Sequence, residues 1–144
     1  MSAMSNYLEN KLIDQLFRGQ TAPATSTLYV GLLTSAPSDA GGGTEVSGGA
    51  YARVATASSL ANWAGTQAAG SSTASSGTGG QTSNNAAITF PTPTAGWGTV
   101  THFGIYDAAS GGNLLFHGAL TIAKTINQAD TVTFPAASLS VTFA

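Results

Sequence analysis

The spacing of apolar positions changes once along the chain. From Leu8 to Phe17 it is helical: Leu8, Leu12 and Leu16 fall four apart, with Ile13 and Phe17 beside them. Asn6, followed three residues later by Glu9, opens this stretch in the manner of a capping box. Gly19 closes it as a left-handed stop, so a helix is predicted over 5–19. Asp14 and Arg18 stand four apart and can pair on its surface. A helix this short does not hold alone and must pack on something, either its own sheet or a partner subunit. Leu8, Leu12 and Phe17 are the candidates for a partner contact.

After Thr27 the period becomes two. Leu28, Val30 and Leu32 share one face of a strand at 27–33. Further strands are predicted at 51–56, 86–90, 99–106, 113–120, 130–134 and 138–143, with a short one near 60–63. Seven to eight short strands between turn-rich stretches point to a mainly β, antiparallel sandwich or barrel with one N-terminal helix, a single domain over 1–144. Two long Gly/Ser-rich loops interrupt the pattern. Residues 35–50 hold five glycines, and 66–83 carry no charge and no apolar period. Loops of this length are usually functional or disordered, and 66–83 reads as a mobile loop or an extended arm. Asp107 to Asn113 reads as a hairpin turn. A symmetric register would set Tyr106 against Asn113 and His102 against His117.

Charge sharpens the picture. Only 7% of the 144 residues are charged, six acids and four bases, against about 25% in an ordinary soluble domain. Four bases do not make a phosphate-neutralising face, so nucleic acid is not expected as a partner. No apolar run is long enough for a membrane helix, and the first residues lack the basic start of a signal peptide. With no cysteine, thiolate metal sites and cysteine nucleophiles are excluded. Four of the ten charges lie on the predicted helix, and none lies between Arg53 and Asp107. That charge-free stretch is the expected surface for cover by other subunits, because interface cores are depleted in charge.

The search for chemistry finds no cluster. His102 and His117, if opposed, would offer two nitrogens without a third ligand; otherwise they are sheet-surface rings. No G-x-S-x-G elbow is present, and the acids show no facing pair of the kind glycosidases use. The glycine runs lack the Lys-Ser/Thr of a phosphate-binding loop. Asp39 and Glu45 flank Gly41–Gly43 but fall short of the six to eight oxygens that calcium usually takes. No enzyme activity, cofactor or metal is implied. Arg53 is either an ion-pair partner pinning the 35–50 loop or an unpaired surface arginine. Trp63 and Trp97 lie beside Gly-rich turns and suit an interface or a core equally. Asp39, Glu45, Arg53, Trp63 and Trp97 therefore join the interface candidates.

The segments NYLENKLIDQLFRG, TLYVGLLTSAPSDAGGGTEVSGGAYARV and ITFPTPTAGWGTVTHFGIYDAASGGNLLFHGAL resemble a family of small tailed-phage and prophage virion proteins, often labelled tail-fibre-like. That family is similar to capsid cement, or decoration, proteins. The resemblance implies a jelly-roll-like sandwich on the outer surface of the capsid that clamps neighbouring copies of the major capsid protein. It carries over no catalytic residue. Self-association is expected, most simply as a homodimer. The alternative is a tail-fibre or tail-tip protein contacting the host surface.

Overall fold

The computed structural model describes residues 2–22, 25–66, 71–76 and 78–143. Along them run β1 (Ser2–Met4), α1 (Asn6–Arg18), β2 (Thr27–Leu33), β3 (Val54–Ala57), β4 (Gln81–Ser83), β5 (Ile88–Thr89), β6 (Gly98–Tyr106), β7 (Leu114–Ile126), β8 (Thr133–Phe134) and β9 (Ser140–Thr142). The helix falls where the apolar spacing puts it, but its cap is Ser5, not Asn6. Ser5 is extended, and its hydroxyl accepts the Leu8 N–H at 3.3 Å. Gly19 ends the helix at φ 65°, a conformation that glycine adopts without steric cost.

Five strands form one antiparallel sheet in the order β1-β7-β6-β2-β3. The register pairs Val30 with Ile105, Leu32 with Phe103, and Ile105 with Phe116. Period two therefore gathers these side chains on one face, here called inner. Two separate ladders, β4–β9 and β5–β8, cover it with Ile88, Phe90, Leu139 and Val141, all in one buried cluster with the sheet residues. Burial of side chains this size contributes about 1.5–3 kcal/mol each. Phe134 stands edge-on to both Phe90 and Phe103, with ring centroids 6.2 and 6.4 Å away.

The two ladders share one pin. Asn84, 1% exposed, donates through Nδ2 to the carbonyls of Ala86 and Pro135, each at 2.8 Å. Its Oδ1 accepts the Leu139 N–H at 2.8 Å. One amide thus joins the segment after β4 to the segments flanking β8 and β9, and satisfies backbone groups that are costly to bury unpaired.

Several expectations need correction. The strand expected at 51–56 begins only at Val54, and the one expected at 113–120 continues to Ile126. Residues 60–63 are no strand: Asn62 and Trp63 donate back to the Ser59 carbonyl in a turn, and Trp63 makes an isolated bridge to Asn84. Within the 66–83 loop, 81–83 form β4 and Thr66 Oγ1 donates to the Ser76 carbonyl at 2.7 Å. Residues 67–70 and 77 of that loop lie outside the described residues. The second layer is two short ladders, where a jelly roll has a continuous sheet. Bulges between Val100 and His102 and between Ile105 and Tyr106 shift the hairpin register. Tyr106 faces Leu114, His102 faces Ala119 and His117 faces Gly104, so the two histidines are not opposed. The charge-free stretch also has a nearer cause than cover by other subunits. It supplies Ile88, Phe90, Trp97, Val100, Phe103 and Ile105 to this chain's own core.

Candidate functional site

The outer face of the sheet is built around two glycines. Gly31 on β2 and Gly104 on β6 stand side by side in the register. A Cβ on Gly31 would lie 3.0 Å from both Glu45 Oε1 and the Tyr51 hydroxyl. A Cβ on Gly104 would lie 2.8 Å from the Tyr106 ring. Glycine inside a strand marks a close approach, and what approaches is the 35–50 loop with its neighbours.

That loop folds back onto β2. Val46 N–H donates to the Leu32 carbonyl and Thr34 N–H to the Thr44 carbonyl, which extends the sheet edge beyond β3. Glu45 then turns inward over the glycines. Arg53 meets it as a fork, Nε to Oε1 and Nη2 to Oε2, both at 2.7 Å. Planar guanidinium and carboxylate match in this bidentate geometry. Nη1 of the same arginine donates to the carbonyls of Ala108 and Gly111, each at 2.8 Å. Its Cζ lies 3.4 Å from the centre of the Tyr106 ring, a cation–π arrangement. The Tyr51 hydroxyl donates to Glu45 Oε1 at 2.8 Å and accepts the Leu32 N–H at 2.9 Å.

Electrostatics follow the geometry. Burial would pull the Arg53 guanidinium down, but the hydrogen bonds and charge of Glu45 outweigh it and hold the pKa above its ordinary value. Burial, with the Glu45 charge behind it, pushes both the Tyr51 and Tyr106 phenols up. The arginine clasp thus ties together the 35–50 loop, the segment before β3 and the 107–112 turn.

The other sequence candidates scatter. Asp39 accepts from His117 Nε2–H at 3.1 Å, and its backbone carbonyl accepts the Asn6 N–H at 2.8 Å, so the loop also touches the start of α1. Trp97 is in the core, its Nε1–H donating to the Gly49 carbonyl at 2.9 Å. Trp63 is half-buried, and its Nε1 has no hydrogen-bond partner among the described residues. Leu8 packs against the core and Leu12 is half-buried. Phe17, by contrast, is 82% exposed. Tyr51, Tyr106, Asn84 and the Asp39–His117 pair escape sequence reasoning, although the two mid-strand glycines signal that something must press on the sheet there. Among the described residues, no three His, Cys, Asp or Glu side chains gather as a metal site would require, and no helix is long and apolar enough to cross a membrane.

Away from the clasp, a groove of about 450 Å³ opens beside the second half of β7. Leu120, Ile122, Ile126, Val132 and Phe134 line it, and Lys124 is the one charged residue among its lining.

Compared with known families, residues 3–142 match the model described as podophage GP4 fiber I protein gp80. No curated protein matches the chain.

Proposed function

The chain belongs to this podophage fibre protein family, which makes it a structural protein of a phage virion, and from that premise we propose that it is a non-enzymatic building block of a virion fibre that contacts the host surface. The observation that carries the proposal is the extent of the match, which runs from β1 to β9 and so takes in both layers and the helix. Of the two roles considered from the sequence, the fibre suits this family better than the capsid cement. The outer face of the sheet supports a rigid building block. Loop 35–50, despite its five glycines, is clasped to the sheet by Arg53. A rigid unit loses little conformational entropy when it docks, and that favours tight assembly.

Location tests the reading. Gold-labelled antibody against the chain, applied to intact virions, should decorate fibres alone. Label confined to the head shell would overturn the proposal and restore a clamp on the major capsid protein. Excess purified protein should also slow adsorption of virions to host cells.

A further inference from the structure

Two features of the molecule lack a purpose within it. The first is the far end of α1. Ile13, Leu16 and Phe17 are 50%, 71% and 82% exposed. Together with Glu9 they occupy positions i, i+4, i+7 and i+8, one continuous face. The opposite side, with Tyr7 and Leu8, is the side that packs on the core. The second is the groove beside β7. β1 pairs only with 116–118 of β7, and β7 runs on to Ile126. Beyond that pairing Ile122 is left 66% exposed.

Topology keeps the two apart. β1 runs antiparallel to β7, from Ser2 opposite Gly118 to Met4 opposite Phe116, and Ser5 N–H donates to the Leu115 carbonyl. The helix therefore starts at the Leu114 end of β7, whereas the groove lies at the Ile126 end. One chain does not fill its own groove with its own helix. The charges complement each other. Glu9 belongs to the exposed helix face and Lys124 to the groove, and among the described residues neither has an ion-pair partner. The knob is also short enough for the groove: Glu9 to Phe17 spans roughly 12 Å of helix, within the roughly 20 Å of strand from Leu120 to Ile126.

We propose that copies of this chain join head to tail, the Ile13/Leu16/Phe17 end of α1 in one copy seated in the β7 groove of the next, with Glu9 against Lys124. The occupant is a second copy, because one chain carries both the apolar knob and the apolar groove, with opposite charges beside them. Such a contact is heterologous and generates a ring or a filament according to whether its rotation closes. The inference is drawn from the surfaces alone and does not depend on where the virion carries the protein.

The test is the oligomeric state of the full chain, by light scattering and sedimentation. The wild type should self-associate at about 100 µM or below, and Phe17→Ser with Leu16→Gln should leave monomers. Ile122→Arg should do the same. All three positions are exposed, so circular dichroism and melting should stay as in the wild type. Mixing the helix variant with the groove variant should give one-to-one dimers, since one intact contact remains. Glu9→Lys should weaken assembly about fivefold, and adding Lys124→Glu should restore it. A wild type that stays monomeric would overturn the proposal. So would assembly that survives Ile122→Arg but not the helix variant, which is the behaviour of helix–helix pairing.

Discussion

Over the inner face of the five-stranded sheet, the covering chain is pinned by one neutral amide, Asn84. Over the outer face, loop 35–50 is held by a carboxylate and a guanidinium. The difference follows from what each face can hydrate. Inside, Asn84 is 1% exposed, and an ion there would lose its hydration at a cost of several kcal/mol. Outside, Glu45 keeps 27% of its side chain exposed, so its charge retains some water while Arg53 supplies the rest. A neutral hub suits the dry interface and an ionic one suits the wet interface. Both do the same work, tying segments distant in sequence to one point.

The largest effect that would separate the two should come from Asn84→Leu. It leaves the Leu139 N–H and the Ala86 and Pro135 carbonyls without their partner, and we expect a loss of about 4 kcal/mol, read by urea denaturation. A loss under about 1 kcal/mol would mean that water or rearranged backbone replaces the pin. Next comes Arg53→Met, which strands Glu45 and removes the donor from two carbonyls. We expect about 2 kcal/mol, less than for a fully buried pair because Glu45 reaches solvent. Adding Glu45→Gln should recover part of that loss, and the shortfall from additivity in the double-mutant cycle measures the coupling. Strict additivity would show that the fork contributes nothing as a pair.

The smallest effect is alkaline. Tyr51 and Tyr106 have raised pKa values in the folded chain, through burial first and the charge of Glu45 second. A phenol raised on folding gives its full stability below its unfolded pKa, about 10. Above that pH the unfolded chain releases the proton first, and stability falls as pH climbs toward the folded values. Melting temperatures followed from pH 8 to 11 should therefore decline above about pH 10. The decline should be shallower in Tyr51→Phe and unchanged in slope in Asn84→Leu, because the amide of Asn84 does not titrate in this range.

Much of this contrast was within reach of the sequence. The helix, the alternation of β2 and most of β6 and β7 follow from periodicity, because burial against a sheet writes itself into every second residue. Strands of three residues such as β1 and β4 carry no period to detect. The turn, which sets Tyr106 against Leu114 and not Asn113, and the bulge at Ile105–Tyr106 moved the histidines because register is a sum over every residue in a hairpin, and one extra residue shifts all that follow. Asn84 sits in a run of polar residues and resembles its neighbours. What sets it apart is three-dimensional: carbonyls and an N–H about 50 positions further along, which local pattern does not contain. For Glu45 and Arg53 the sequence offered a plausible partnership. It gave no sign that Ala108 and Gly111 would complete the ring of acceptors.

Seen in terms of coordination, Arg53 resembles a bound cation. A carboxylate approaches in bidentate fashion, two backbone carbonyls complete the donor set, and an aromatic face lies beneath the plane. Loops elsewhere often take calcium for this purpose and unravel when it is withdrawn. Here the positive centre is covalently part of the polymer. Its local concentration is fixed by the short stretch of chain between Glu45 and Arg53, and neither chelation nor dilution can remove it.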